Sequence, residues 1–307
     1  MNTSPVAFRP ADEPSPLSLF VRQYAASKLA LAGAAALVLL VAAALLAPAL
    51  APQNPYDLAQ LDILDSRMPP GSVSTEGGQD ARRYWLGTDD QGRDMLSGML
   101  YGLRISLGIG IVATLAALSI GTTLGLVAAF VGGRLDALLM RLVDIQLSFP
   151  AILVALVLIT LLEPGIGNVA IALIAVQWAY YARTARAAAL VERKKEYIEA
   201  AQGLGLSNAR IVLRHLLPNC LPPVIVVAAL QVANAIALEA TLSFLGIGVP
   251  ITEPSLGLMI ANGQQFLLAG MYWMSLYPGL VLLATILAIN LVADHLRDVI
   301  NPRLQKQ

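Results

Sequence analysis

Uncharged stretches of about 20 residues recur along the chain. A transmembrane helix needs about 20 apolar residues, because each residue rises about 1.5 Å across a hydrocarbon core about 30 Å thick. Runs without a charged residue occupy 29–51, 105–133, 145–162, 164–182, 216–238 and 254–293. The pattern predicts an all-α fold, a polytopic transmembrane helical bundle with about six spans.

The last run is long enough for two spans, but its first half is polar and rich in glycine. It contains Asn262, Gln264 and Gln265, a poor composition for a helix that faces lipid. We therefore expect only 275–293 to span. The stretch from about Gly246 is then predicted to be an extramembrane loop with a short surface helix.

The first run ends in Ala49-Leu50-Ala51, which resembles a signal-peptidase site. The apolar region of a signal peptide is typically about 7–15 residues long and follows a short basic start. Here the apolar run is longer and follows a 28-residue lead. We favour an uncleaved anchor over a cleaved signal peptide.

Basic residues fall mainly on one side of the six predicted spans. Of 20 Lys and Arg residues, 15 lie before span one, between spans two and three, between spans four and five, or at the C-terminus, and five lie in the first long loop. Basic residues stay cytoplasmic, so both termini and the loop after span four are predicted to be cytosolic.

The spans divide the chain into segments. We expect a cytosolic N-terminal segment at 1–28, the first transmembrane helix at 29–51 and an external loop with a surface helix at 52–104. A transmembrane core at 105–297 would follow, with a cytosolic loop at 183–218, and then a cytosolic tail at 298–307.

The external loop contains a helical pattern near its end. Thr88 or Asp89 could cap this helix, and apolar residues then recur at the spacing of one helical face, at Met95, Leu96, Met99, Leu100 and Leu103. We expect a helix on the outer membrane surface. It could pack in front of span two or bind a partner.

Composition excludes several classes of function. Hydrophobic residues make up 57% of the chain, charged residues 13%, and the mean hydropathy is +0.69, whereas soluble domains carry about 25% charged residues. This excludes a water-soluble enzyme. The net charge is zero, so no overall field attracts nucleic acid. The single cysteine, Cys220, and the absence of metal-ligand spacing give no support for redox or metal chemistry.

The sequence contains no obvious source of energy for transport. None of the four lysines lies in a phosphate-binding G-x-x-x-x-G-K-[ST] loop. Ionisable groups inside spans usually mark ion pathways, but here they are nearly absent. Glu239 and Asp144 are the exceptions, and we interpret each as an interfacial or helix-paired residue rather than a proton or substrate site. Gly121 and Gly125 have G-x-x-x-G spacing, and we favour packing within the chain over a dimer interface.

The cytosolic loop carries the most informative pattern. Two helix-forming stretches flank Gly203 and Gly205, which permit a sharp turn. Ser207 could cap the second stretch, and Pro218 marks the start of span five. We expect a helix, a turn and a short second helix, with small residues available for docking at Ala200, Ala201 and Gly205. A DNA-reading role is disfavoured because spans adjoin the loop on both sides, whereas a simple connecting hairpin is the structural alternative.

This loop resembles the signature of the membrane-spanning permeases of binding-protein-dependent ABC importers. That signature reads E-A-A-x-x-x-G, then, after nine intervening residues, an apolar position and, one residue further on, Leu-Pro. The matching positions here are Glu199, Ala200, Ala201, Gly205, Leu217 and Pro218. His215 departs from the usual apolar residue, as it often does in the dipeptide and oligopeptide (peptide/nickel) branch.

Other stretches resemble the same branch. They are Lys28 to Gly33, the external Leu86-Gly87-Thr88-Asp89 with Gly92-Arg93-Asp94, and Leu242 to Gly246 with Pro254, Ser255 and Gly257. Gly98 and Leu256 replace a common Arg and Trp. Importers of peptides, glutathione and nickel chelates share these motifs, so the resemblance leaves the solute open among them.

The resemblance implies an ABC importer type I permease fold and a role in ATP-driven import of small peptides. The E-A-A loop would couple to an ATPase through Glu199, Ala200, Ala201 and Gly205, with Leu217 and Pro218 anchoring it to span five. The implied partners are a second homologous permease, two cytosolic ATPase subunits and an external solute-binding protein, in the bacterial inner membrane. ATP and Mg²⁺ would bind in the ATPases, and this chain would hold no cofactor and no catalytic site. An ion-coupled carrier or channel working alone, or a non-transporting scaffold, are the alternatives.

Overall fold

A computed structural model describes residues 22–57, 61–75 and 82–300. The α-helices named here are α1 Lys28–Leu45, α2 Ala47–Leu50, α3 Met95–Val131, α4 Gly133–Ser148, α5 Ala151–Leu162, α6 Ile166–Glu192, α7 Glu196–Gly203, α8 Asn208–Arg210, α9 Leu217–Phe244, α10 Leu256–Gln264 and α11 Trp273–Ile300. Short 3-10 helices occupy Ile63–Asp65 and Leu267–Ala269, and a π-helix occupies Ile211–Leu216. Strands β1 (Ser72–Val73) and β2 (Arg83–Tyr84) pair antiparallel in the external loop.

The prediction of an all-α polytopic bundle is confirmed. Among the residues that the structure describes, four continuous helical segments are long and apolar enough to cross a membrane, at Lys28–Leu45, Met95–Val131, Asn208–Phe244 and Trp273–Ile300. The pair α4 and α5 adds a fifth candidate, broken by a bend of 93°. The predicted fourth span lies in α6, which also carries polar and aromatic residues such as Gln177 and Trp178. The six predicted spans thus correspond roughly to these elements.

The predicted third span is not one straight helix. Its range, 145–162, begins inside α4 and continues in α5 after a break at Phe149 and Pro150. Proline lacks a backbone N–H and disfavours helical geometry at the preceding residue, and Phe149 is extended. Uncharged sequence on both sides of Pro150 concealed this break.

The predicted external surface helix is not a separate element. It forms the first turns of α3, a continuous helix of 37 residues that extends about 55 Å at about 1.5 Å per residue. Asp94, not Thr88 or Asp89, is the N-cap: its Oδ2 accepts hydrogen bonds from the Ser97 N–H at 2.8 Å and the Ser97 hydroxyl at 2.7 Å. Met95, Met99 and Leu103 are buried, so this stretch packs in front of the second span.

Helices α3 and α6 pack closely against each other. A Cβ at Gly121 would clash with the Trp178 carbonyl oxygen and lie 2.7 Å from Tyr181 Cβ, and one at Gly125 would clash with the Ala182 carbonyl oxygen. Small residues let helices approach this closely. The G-x-x-x-G motif therefore packs within the chain, as predicted.

The segment after span five is more deeply buried than predicted. The expected short helix is present as α10, but it lies inside the bundle and contacts α3, α9 and α11. Leu256, Gly257 and Leu258 are buried, and Gly257 packs directly on the Ala240 backbone. Its glycines, which suggested a loop, permit this close packing. At the other end of the chain, α1 also contacts α11, where Gly33 adjoins Leu291.

Candidate functional site

The candidate coupling loop is a helix and turn between α6 and α9. Helix α7 ends in a Schellman motif: the Leu206 N–H donates to the Ala201 carbonyl at 3.2 Å and the Gly205 N–H to the Gln202 carbonyl at 2.9 Å. Gly205 has φ +72°, which favours glycine. The predicted turn is confirmed at Gly205, whereas Gly203 is the last residue of α7 and takes no part in the left-handed turn.

A small apolar cluster holds this loop against the bundle. Buried Ile198, Ala201 and Ile211 pack together, with Phe130 and Leu206 at the edge. Ala201 is only 4% exposed, so it packs inward. The predicted small-residue docking face is therefore wrong at Ala201, because helical periodicity turns this residue toward Ile211 while its neighbour Ala200 faces out.

The exposed tip of the loop consists of different residues. Glu199, Ala200, Leu204 and Gly205 are exposed, and Leu204 is 80% exposed. Sequence reasoning did not single out Leu204. The signal was a leucine between two glycines, immediately before the residue that makes the turn.

Polar contacts fix the base of the loop. Arg193 donates to the Ala129 carbonyl at 2.8 Å, near the end of α3. The Glu192 carboxylate accepts hydrogen bonds from the Lys195 ammonium at 2.6 Å and from the Tyr197 hydroxyl at 2.7 Å. Partial burial and the hydrogen bond to Glu192 raise the pKa of Tyr197 to about 12. The tyrosine thus remains a hydrogen-bond donor at neutral pH.

The second half of the loop continues directly into span five. The predicted short second helix is wrong as a separate element, because α8, the π-helix and α9 form one segment, Asn208–Phe244. Ser207 occupies the N-cap position, but its side chain makes no capping hydrogen bond. The Leu217 N–H donates to the Val212 carbonyl in the wider π pattern, immediately before Pro218, which has no N–H to donate.

Leu217 and Pro218 differ in their surroundings. Leu217 packs against a cluster that includes Leu126, Leu216 and Cys220, whereas Pro218 is exposed in the first turn of α9. The loop is thus joined to α3 and α9 through apolar packing. A force on its tip would act on both helices.

The two ionisable residues singled out within spans are both paired. Glu239 is fully buried and accepts hydrogen bonds from the Ser106 hydroxyl at 2.7 Å and the Ser243 hydroxyl at 2.8 Å. Asp144 forms an ion pair with Arg183 at 2.5 Å. The interpretation of both as helix-paired residues is confirmed. Across 22–57, 61–75 and 82–300, no group of three or more His, Cys, Asp or Glu residues could hold a metal ion.

Two protein-family models match the chain, one near its N-terminus and one over its C-terminal half. Residues 121–306 match the family described as "Binding-protein-dependent transport system inner membrane component". The chain belongs to this family. Residues 15–70 match the "N-terminal TM domain of oligopeptide transport permease C". The chain is thus a multi-pass inner membrane component of a binding-protein-dependent transport system.

Similar proteins extend over the full length. The "Dipeptide transport system permease protein DppC" of Haemophilus influenzae is 37% identical over 306 residues, covering 100% of both chains. The "Di/tripeptide transport system permease protein DppC" of Pseudomonas aeruginosa is 38% identical over 305 residues, 99% of this chain and 98% of that one. The "Probable D,D-dipeptide transport system permease protein DdpC" of Escherichia coli is 35% identical over 277 residues, which cover 90% of the chain described here and 88% of the Escherichia coli protein.

A solved structure supports the fold. A chain of the MetNI methionine ABC transporter in an inward-facing conformation has a TM-score of 0.55 and 19% identity, and the match covers 67% of this permease-family chain and 98% of the MetNI chain. The similarity shows that the two share a fold.

Proposed function

We propose that this chain is the permease subunit of an ATP-driven ABC importer that moves dipeptides or short oligopeptides into the cytosol. The relatives with nearly full coverage are named as dipeptide or di/tripeptide permeases. Catalysis would lie outside this chain, with ATP and Mg²⁺ held by its partners. The proposed partners are a second homologous permease, two cytosolic ATPase subunits and an extracytoplasmic solute-binding protein.

The tip of the loop is the proposed contact with an ATPase subunit. The observation that carries this role is an exposed apolar tip on a firmly packed base: Leu204 faces solvent, while Ile198 and Ala201 are buried beneath it. The excess of basic residues on this side predicts that it faces the cytosol. Glu199, Ala200 and Gly205 would contact the ATPase, and Ala201 would position them from inside. Leu217 and Pro218 would connect the tip to span five.

The test uses substitutions at exposed tip residues, because changing Ala201 would disturb the loop itself. Ala200→Arg and Leu204→Glu place a charge in the proposed interface, where an unpaired buried charge is strongly unfavourable. We expect each to reduce ATP-driven dipeptide uptake by about tenfold or more, and to reduce co-purification of the ATPase, at unchanged permease abundance. Ala137→Arg, at an exposed alanine of α4, is the matched control and should leave both unchanged.

Two results would contradict the proposal. Normal uptake and ATPase co-purification in both tip variants would remove the coupling role from this loop. Uphill dipeptide accumulation by the purified chain alone, driven by an ion gradient without ATP, would instead identify an ion-coupled carrier.

A further inference from the structure

A cleft of about 420 Å³ lies beside the break between α4 and α5. This is within the range of about 300–1,000 Å³ that is typical of small-molecule sites. Helix α9 contributes one face to it, including Gln231, Asn234 and Thr241, and α6 contributes Gln177 and Tyr180. Ala151 and Ile152, the first residues of α5, line the cleft on the side of the break.

Two amide side chains in this cleft, Gln231 and Asn234, lie near the middle of α9. Gln231 is 14 residues from Leu217 and 13 from Phe244, the two ends of α9, which is about 20 Å from either end at about 1.5 Å per residue. Polar side chains at this depth are costly if they face lipid. Their position requires either helix contacts or a polar passage.

Gln177 and Gln231, the buried amides of the cleft, take part in hydrogen bonds that join α3, α6 and α9. Gln177 Nε2 donates to the Gln231 carbonyl at 3.0 Å, and Thr114 donates to Gln177 Oε1 at 3.4 Å. Gln177 and Gln231 are 3% and 6% exposed. Their contacts within the chain are sufficient to explain their presence, so we regard them as positioning residues.

Asn234 is different because it is exposed. It donates to Gln231 Oε1 at 2.6 Å, which fixes its orientation and uses one of its two N–H groups. The described residues give no partner for its carbonyl oxygen or its second N–H, although an amide offers both. Exposed Tyr180 and Thr241 lie in the same cleft. An exposed amide near the middle of a membrane-spanning helix is expected where that helix borders a solute pathway.

We infer that Asn234 lines the path of the solute and forms hydrogen bonds with uncharged peptide groups as they pass. None of the described residues that line the cleft is charged. The cleft would therefore recognise backbone amides, which all peptides share, and would not distinguish acidic from basic side chains. This inference depends on the proposed function, since it takes a peptide as the solute.

The experiment uses the complete complex with its binding protein in liposomes and three labelled dipeptides, Ala-Ala, Ala-Lys and Ala-Glu. Asn234→Leu removes the amide and should reduce uptake of all three. Asn234→Asp adds a negative charge, which should repel Ala-Glu and attract Ala-Lys, and should shift their uptake ratio relative to wild type by at least about fivefold. Thr160→Asp, at an exposed position of α5 outside the cleft, is the control and should leave the ratio unchanged.

The outcomes separate this inference from the proposed function. Equal loss of all three dipeptides in Asn234→Asp, accompanied by weaker co-purification of the second permease, would show that Asn234 is an interface residue and would overturn the inference. Unchanged uptake in both Asn234 variants would also overturn it. Absence of ATP-dependent dipeptide uptake in the wild-type complex would instead contradict the proposed function.

Discussion

The carboxylate of Glu239 accepts a hydrogen bond from the Ser106 hydroxyl at 2.7 Å and thereby joins α9 to α3 deep inside the bundle. The Ser243 hydroxyl donates to the other carboxylate oxygen, and Ser243 also accepts the Val249 N–H at 3.2 Å. Glu239 thus connects the two helices to the backbone that leads toward α10. These contacts are those of a residue that joins helices within the chain.

Removing this carboxylate should destabilise the protein. Glu239→Ala leaves buried hydroxyl groups without an acceptor, and each such unsatisfied group costs about 1–3 kcal/mol. We expect a clear fall in the thermal unfolding midpoint in detergent. Glu239→Gln retains one acceptor oxygen and should have a smaller effect. An alanine variant as stable as wild type would show that the hydrogen bonds contribute nothing.

Substituting one glycine of α3 by alanine should destabilise the contact with α6, whereas the same substitution at another glycine should not. Gly121→Ala would force α6 away, because its Cβ overlaps the backbone at Trp178, and overpacking of this kind costs about 1–3 kcal/mol. Gly108 lies in the same helix, and no atom of another described element lies within 4 Å of the position of its Cβ. Gly108→Ala is the control and should be neutral or slightly stabilising. Comparable unfolding midpoints for the two variants would contradict this packing.

Two ion pairs join α4 to α6 and should differ in strength. Arg186 binds both carboxylate oxygens of Asp136 at 2.5 and 2.6 Å, with side chains 30% and 18% exposed. The pair of Arg183 and Asp144 is 53% and 61% exposed. Bidentate, partly buried pairs are the stronger kind, so Asp136→Ala should cost about 1 kcal/mol, whereas Asp144→Ala should cost less because exposed pairs contribute about 0–1 kcal/mol.

A charge swap tests the stronger pair further. Exchanging Asp136 and Arg186 in one double variant should recover part of the stability that each single change removes. Equal losses from Asp136→Ala and Asp144→Ala, measured as unfolding midpoints, would mean that burial does not distinguish the pairs.

Asp89 in the external loop should make the stability of the folded protein depend on pH. Burial raises the pKa of Asp89 to about 6, although its carboxylate accepts backbone N–H bonds from Arg93 and Gln91. An unfolded Asp ionises near pH 4. The folded form therefore loses relative stability as the pH rises from about 4 to about 6. Asp89→Asn should raise the unfolding midpoint at pH 7.5 and change it little at pH 4.5.

Asp65 provides a control of opposite sign in the same loop. Burial opposes its ionisation, but hydrogen bonds from Ser74, Thr75 and Tyr84 outweigh burial and hold its pKa below the usual value. The ionised Asp65 carboxylate therefore stabilises the folded protein above pH about 4, and this stabilisation is lost as the pH falls through the lowered pKa of the folded state. Asp65→Asn should destabilise the protein at pH 7.5. A fall in stability at that pH for Asp89→Asn as well would contradict the assigned direction for Asp89.

Much of the fold could be predicted from local sequence. Uncharged runs identified the membrane helices, because exclusion of charge from hydrocarbon acts on each segment separately. The turn at Gly205 was predictable because a Schellman motif favours glycine at one position. The break at Pro150 and the fusion of the external helix with α3 were missed, since a count of charges detects neither a proline kink nor the continuity of a helix across the membrane surface.

The candidate sites were predicted less completely. The positions of Glu199, Ala200 and Gly205 in the sequence match a known signature. The direction in which each side chain faces, however, depends on what packs beneath the helix. Ala201 faces Ile211, a residue ten positions away across the turn. Leu204 lies outside this cluster and is exposed.

The sequence by itself determined that this protein spans a membrane with several helices, which side is basic and where the coupling signature lies. These properties follow from the cost of burying charge in lipid and from the conformations open to each residue. Only the tertiary structure decided that Glu239 pairs with Ser106, that Gly121 contacts α6, and that Asn234 is exposed in an uncharged cleft. Those relationships join residues far apart in the chain, and they depend on how each helix is rotated about its axis, which local hydropathy does not specify.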